Sequence, residues 1–274
     1  MGTRIHPTAV VDPAAELGEG VTVGPHAVIE AGVEIGDGCE IGAAAQIQGP
    51  ATRLGRENRV FPHACIGFEP QDLKFEGEAS RLEIGERNHF RELTTVHRGT
   101  GFGGGVTVIG SDNLFMAYSH VAHDCHVGSR CVFVNAATLA GHVAVHDDVT
   151  IGAFSAVHQF TRVGRHAYVG GFTVLTMDAL PYVKTVGQKP AYYGVNSIGL
   201  RRKGVSPDAR KRIGEAMKVL VESGLNTTQA LERIRAELAG HEEIDYLVEF
   251  VAASERGVVK AGPGRRGERG GTVE

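Results

Sequence analysis

The sequence predicts a three-sided, all-β parallel β-helix followed by a small C-terminal α-helical domain. Three observations predict it. First, an aliphatic or aromatic residue recurs at every sixth position from Ile109 onward: Ile109, Phe115, Val121, Val127, Phe133, Leu139, Val145, Ile151, Val157, Val163, Val169 and Leu175. A period of six is neither the 3.6 of a helix nor the two of a plain strand; it marks a solenoid of stacked short turns. Second, the residue four places after each of these is small in most cases, as at Asn113, Ser119, Cys125, Cys131, Ala137 and Ser155. One large and one small inward residue per hexad suits a flat strand entering a tight corner. Three such sides close a coil, and successive coils stack as parallel strands roughly 4.8 Å apart. Third, the period stops after Leu175 and helix punctuation begins.

In chain order, Leu17, Val23, Ile29, Ile35, Ile41 and Ile47 already keep the step of six. The step to Leu54 is seven, a one-residue slip expected at a corner; Val60 and Ile66 resume the register. Two loops then leave the solenoid, a polar and charged one at 68–82 and a glycine-rich one at 97–108 containing GTGFGGG. Long loops inside a regular repeat are usually functional or interface-forming. Ile84, Phe90 and Val96 hold the register between them. The solenoid is expected to fill 1–190, and a connector with helices 191–258. Pro181, Pro190 and the pair Tyr192–Tyr193 mark an irregular connector. Ser206-Pro207-Asp208 is a helix start, with Ser as N-cap, Pro in the first turn and Asp at the positive end. That helix is expected to reach Ser223 with Gly224 as its stop. Thr227–Ala239 and Glu242–Glu255 read as two more helices, and 259–274, rich in Gly and Arg, as a disordered tail.

Among 274 residues there are 38 glycines and no Trp, which suits tight corners better than a packed globule. A net charge of −4 gives no reason to expect nucleic-acid binding. Cys39, Cys125 and Cys131 fall at the small inward position and read as core filler. The absence of a cysteine framework, of a signal-like apolar run at the N-terminus and of any stretch able to span a bilayer predicts a cytoplasmic protein without integral membrane contact.

His120, His123, His126, His142, His146, His158 and His166 all lie in the unbroken run. Positions 18 apart stack, so His123, Gly141 and Gln159 form one column, with His142 and His158 one place off it. A neutral imidazole accepts a proton near pH 7, and Asp124 beside it would fix its tautomer. Gly141 has no side chain to block its N–H, which would serve a developing oxyanion. The plainer reading is a solenoid wall with ordinary exposed polar residues. A zinc reading is weaker: the cysteines point inward by phase while the histidines point outward, so no metal ligand set is expected.

The strings AHDCHVG, NAATLAGHV and AVHQFTRVG, together with QDLKFEGE, VHRGT, LPYV, GVN and RRKG, closely resemble the acyl-acyl-carrier-protein–UDP-N-acetylglucosamine O-acyltransferase family over about residues 4–258. The resemblance implies a left-handed β-helix of the hexapeptide-repeat kind, against the right-handed rule for parallel crossovers. It implies a homotrimer with its active site between neighbouring solenoids, no cofactor, and acyl carrier protein and UDP-N-acetylglucosamine as partners. The reaction implied is transfer of a 3-hydroxyacyl chain to the glucosamine 3-hydroxyl, the first step of lipid A biosynthesis, without a covalent intermediate. His123 matches the family's general base and Gly141 its oxyanion donor. Gln71, Asp72, Lys74, His120, His142, His158 and Gln159 match residues that hold the sugar-nucleotide, and Asn196 and Arg202 its nucleotide-side contacts. Gly171 occupies the place of the residue that limits acyl length.

Two positions depart from the family's pattern: Ile198 stands where a glutamate is usual, and Lys189 near a usual histidine. Arg201, Arg202 and Lys203 form a basic cluster expected to help dock the acidic carrier. Four other functions are weighed against this one. They are the same transfer onto a 3-amino sugar, a trimeric zinc hydratase of the gamma-carbonic-anhydrase type, a non-catalytic scaffold, and the later N-acyltransferase of the same pathway. The last carries an additional N-terminal uridine-binding domain, for which hexads starting within the first twenty residues leave no room.

Overall fold

The structure, a computed structural model, describes residues 2–260. Its body is a left-handed β-helix in which each coil gives one short strand to each of three faces. Among the described residues the first face has eleven strands, the second nine and the third eight. The register is the expected one of 18. Phe115 pairs with Phe133 and Phe133 with Ile151 on the first face, Val121 with Leu139 and Leu139 with Val157 on the second, and Val127 with Val145 on the third. All twelve residues of the unbroken run are buried, as are the small inward ones. Phe90, Phe115 and Phe133 stack ring on ring at 4.9 and 4.6 Å along the axis.

Each tight corner places one residue in the left-handed region, and most of these are not glycine: Asp124 (φ 57°), His142 (φ 61°) and Phe160 (φ 61°) follow one another on a single corner. That conformation costs about 1–2 kcal/mol per non-glycine residue. A hydrogen bond to the coil below offsets it: the His142 N–H donates to His123 O at 3.0 Å, and that of Asp148 to Ser129 O at 2.9 Å.

The three breaks in the six-residue step all fall on the same corner, between the second and third faces. The slip sits at the turn after Gln46–Ile47 and before Thr52–Leu54. The first loop runs from Cys65–Phe68 on the second face to Arg81–Ile84 on the third, and the second loop from Thr95–His97 to Val106–Ile109. The loops proper are therefore 69–80 and 98–105, shorter than expected. They leave adjacent coils, so the strands at their bases stack and extend, Arg81 pairing with Val106 and Leu82 with Thr107.

The connector is more regular than the sequence suggested. Val183–Val186 adds a parallel strand to the first face, and Ala191–Val195 returns antiparallel to it. Alternation decides this: Val183 and Thr185 point inward and are buried. The solenoid core cluster runs along the coils to Ala179 and takes in Val259, while Leu180, Tyr182 and Val183 pack into a second cluster with the helices. Helix α1 (Ser197–Arg202), not expected from the sequence, is capped by Asn196, whose side chain accepts from the Gly199 N–H at 3.2 Å. Helix α2 (Pro207–Met217) starts on Ser206 as expected and loosens into a π turn over Lys218–Glu222. Helix α3 (Thr227–Leu238) carries a capping box between Asn226 and Gln229, and α4 spans Glu242–Ala252. Arg162 ties this part to the solenoid, donating to Asp178 at 2.9 Å and to Phe250 O at 2.7 Å. Val259 is buried with its N–H on Asp178 O, and Lys260 donates to Thr227, so the expected tail begins too early at 259. Residues 261–274 lie outside the described residues.

Candidate active site

The corner between the second and third faces gathers the chemistry. His123 sits one coil beyond the glycine-rich loop, and both loops lie along its corner, so its side chain is only 10 % exposed rather than open to solvent as the sequence suggested. Its Nδ1–H donates to Asp124 Oδ2 at 2.8 Å, which leaves the Nε2 lone pair free to accept a proton. Asp124 also accepts from the Thr100 N–H at 2.9 Å and the Thr100 hydroxyl at 2.6 Å. Burial pushes the Asp124 carboxyl up, but the hydrogen bonds from His123 and Thr100 outweigh it and hold it below the usual carboxylate range. Asp72, from the first loop, brings its carboxylate to 3.9 Å from His123 Nε2.

Gly141 lies directly against the base: a Cβ built there would fall 2.4 Å from His123 Cε1, so only glycine fits. Among the described residues the Gly141 N–H donates to no acceptor, whereas those of Ala140 and His142 each bond a neighbouring coil at 3.0 Å. His142 meets His123 edge-on at 5.1 Å and stacks on Phe160 at 4.4 Å. Burial lowers the His142 pKa, against the pull of Asp124, so its ring stays neutral more readily than a free imidazole. Gln159 and His158 follow one coil on with exposed side chains, and Gln71 and Lys74 stand exposed on the first loop. His120, on the second face beside this corner, pairs with Thr95 Oγ1 at 2.7 Å.

The remaining expected site residues lie elsewhere in the chain. Asn196 is held to His166 O at 3.1 Å, on the corner between the third and first faces. Lys203 forms an ion pair with Asp148 at 2.8 Å on that same corner. Its charge is thus neutralised from within, and of the expected docking cluster only Arg201 and Arg202 stay exposed and outside such a pair. Gly171 lies on the third corner, between the first and second faces, against Ala153. One chain therefore does not bring Asn196, Arg202 or Gly171 to His123.

Sequence reasoning missed Thr100, Glu78, His97 and Phe160. His97 stacks edge-on beneath His120 at 4.9 Å, and burial pushes its pKa down to about 4. Counting would have found the first three. The steps from Ile66 to Ile84 and from Val96 to Ile109 are eighteen and thirteen instead of six, which puts the extra residues on the His123 corner.

Among the described residues one group has metal-ligand chemistry: His123, Asp124 and His142 place donor atoms within 4.8 Å of one another. The Asp124 oxygens are already taken by Thr100 and His123, and His142 Nε2 stands 3.9 Å off. That is the order of a hydrogen-bonded dyad with a neighbour, and the group is a poor fit to zinc, which wants converging free donors.

The hexapeptide-repeat solenoid, with its imidazole, carboxylate and amide on one covered corner, is built like the bacterial hexapeptide transferases. The family model described as bacterial transferase hexapeptide (six repeats) matches residues 14–49, and that described as UDP N-acetylglucosamine O-acyltransferase, domain 2, matches 178–259. Acyl-[acyl-carrier-protein]–UDP-N-acetylglucosamine O-acyltransferases of Myxococcus xanthus and Stenotrophomonas maltophilia are each 47 % identical over 94 % of this chain, covering 99 % and 98 % of theirs. Among solved structures, the UDP-N-acetylglucosamine acyltransferase of Francisella novicida superposes with a TM-score of 0.91 at 35 % identity over 95 % of each chain. That of Bacteroides fragilis gives 0.91 at 41 % identity, over 93 % of this chain and 99 % of its own. The chain belongs to the acyl-[acyl-carrier-protein]–UDP-N-acetylglucosamine O-acyltransferase family, and it is an acyltransferase.

Proposed function

We propose that the protein transfers a 3-hydroxyacyl chain from acyl carrier protein to the 3-hydroxyl of UDP-N-acetylglucosamine, the opening step of lipid A synthesis. The observation that carries this is the His123–Asp124 pair with its free Nε2, set against the unpaired Gly141 amide. His123 Nε2 takes the proton of the sugar hydroxyl as its oxygen attacks the thioester carbonyl. The Gly141 N–H receives the negative charge that gathers on the carbonyl oxygen. The C–S bond then breaks, and the imidazolium returns its proton to the leaving thiolate. A thioester is already activated, so a base, an oxyanion donor and positioning suffice. Cys125, buried in the core with its thiol pKa pushed up to about 12, offers no competing nucleophile. Asp72 and Lys74 hold the sugar-nucleotide from the first loop, with Gln71, His120, His142, His158 and Gln159 around them.

The working form in this reading is a homotrimer in the cytoplasm, with Asn196 and Arg202 supplied to each site by a neighbour. Their place on a different corner from His123 supports it. So does a column of aromatics on the third corner, Tyr118, Phe154 and Phe172, each at least 60 % exposed, which a lone chain would leave wet. Arg201 and Arg202 meet the acidic carrier; a KM for the carrier that stays constant as salt rises would count against this.

The direct test is to incubate the pure protein with UDP-N-acetylglucosamine and a panel of 3-hydroxyacyl carriers and weigh the products. An O-acylated sugar-nucleotide is expected. No product with this acceptor but turnover of the 3-amino sugar would move the assignment to N-acylation. Gly171, lacking a side chain, admits a long acyl group, so Gly171→Met is expected to shift preference to shorter donors. Equal rates on long and short donors in that variant would sink the chain-length role.

A further inference from the structure

We propose that Thr100 is a positioning residue for the base, and that Glu78 couples it to the loop carrying Asp72 and Lys74. The proposal rests on the acyl-transfer reading above.

Asp124 is fully surrounded. Thr100 occupies both its oxygens, the N–H on Oδ1 at 2.9 Å and the hydroxyl on Oδ2 at 2.6 Å, so the carboxylate cannot rotate away from His123. The Asp124 N–H is held in turn by Thr107 Oγ1 at 2.8 Å. Gly103 closes the far side: a Cβ there would fall 2.2 Å from the Asp124 carboxylate. Thr100 is itself fixed, since its carbonyl accepts from Gly103 N at 3.1 Å and Gly105 N at 2.8 Å. The glycines thus have separate reasons: Gly103 packs on the Asp124 carboxylate, Gly101 lies against Glu78, and Gly104 and Gly105 take the left-handed backbone that turns the loop.

The two loops lock each other. Glu78 Oε1, near the end of the first loop, accepts from the Gly101 N–H at 2.9 Å, and its other oxygen takes the Glu76 N–H at 2.9 Å. From the opposite side Arg98, nearly buried, donates to Gly67 O at 3.2 Å and pairs with Glu69 at 3.4 Å, its guanidinium 5.3 Å from the Phe75 ring centre. The first loop therefore reaches the base twice. Asp72 stands 3.9 Å from Nε2, and Glu78, through Gly101, Thr100 and Asp124, reaches Nδ1. A sugar-nucleotide that settles this loop also settles the ring that must deprotonate it. Charges near His123 come from Asp72 and Asp124, with the imidazoles of His142, His120 and His97 close by. Thr100 and Gly103 add none, so replacing either perturbs position without changing charge.

The experiment compares Thr100→Val, Thr100→Ser, Gly103→Ala and Glu78→Ala in the full-length protein, after circular dichroism confirms folding. Thr100→Val is expected to lower kcat by about tenfold to a hundredfold while KM for UDP-N-acetylglucosamine stays within about twofold. The acid limb of its kcat/KM profile moves to lower pH, because a carboxylate no longer pinned stabilises the imidazolium less. Thr100→Ser restores both. Gly103→Ala reproduces the kcat loss and the pH shift, and carries the test should Thr100→Val not fold. Glu78→Ala raises KM and lowers kcat together, since it frees both loops. An unchanged kcat in Thr100→Val and Gly103→Ala overturns the proposal. So does a loss with an unmoved acid limb, or one that Thr100→Ser leaves unrepaired. A wild-type protein inactive on UDP-N-acetylglucosamine would instead overturn the functional reading itself.

Discussion

Two corners of the same coil, built on one backbone, have been put to opposite uses. On the corner between the third and first faces, the left-handed positions hold Arg87, Asp112, Arg130 and Asp148. They form a ladder of ion pairs, Arg87 to Asp112 at 2.8 Å and Arg130 to Asp148 at 3.0 Å, with the arginines nearly half exposed. On the corner between the second and third faces the equivalent positions hold Asp124, His142 and Phe160. There too a carboxylate meets a base, but Asp124 is wholly covered and its partner is a titratable ring. The difference lies in what overhangs each corner. Only the second carries the loops, and they exclude water from the pair. Exposed pairs are screened and contribute little, while covered ones act in a lower dielectric. A solenoid corner becomes a reaction site when it is roofed.

That contrast can be broken most sharply at the base. His123→Ala is expected to lower kcat by about a thousandfold with the melting temperature nearly unchanged, the rate followed by product mass and the fold by circular dichroism. A scaffold would tolerate the change. Gly141→Ala should cost about a hundredfold in kcat, because its methyl group pushes into the imidazole. A third, smaller effect concerns pH. Burial takes His97 from 6.5 to about 4, so between those values the unfolded chain binds a proton the folded chain refuses. Stability is therefore intact above about 6.5 and lost as pH falls toward 4, by about 3 kcal/mol in all. Urea melts at pH 7 and pH 5 should differ by about 1–2 kcal/mol less in His97→Gln than in wild type. At the open corner, Arg130→Gln is expected to change stability by no more than about 1 kcal/mol and kcat not at all, the weakest of the four effects.

Much of this was legible before any coordinates. The hexad places every large core residue from Ile109 to Leu175, and counting 18 puts Gly141 against His123. Steps of seven, eighteen and thirteen each fall on every third side, so one corner receives every insertion. What periodicity cannot supply is anything settled outside the coil. The clamp of Thr100 on Asp124 depends on how a glycine-rich loop folds, and a period says nothing of that. The strand at Ala191–Val195 was hidden by Pro190, which read as a breaker although it merely precedes the strand. Helix α1 is only six residues long, too short to leave an apolar stripe, and its capping by Asn196 is the one local sign of it. Lys203 reads as free charge until Asp148 is found beside it.

The antiparallel return of Ala191–Val195 also governs how the rod meets others of its kind. Among the described residues the strand at Arg4–Ile5 ends the first face, and a stack of like-directed strands is in general open to fibre growth by head-to-tail addition of further copies. A last strand running the other way offers an incoming copy bonds at the wrong spacing and slant. On that face the tip therefore presents no like-directed strand to extend.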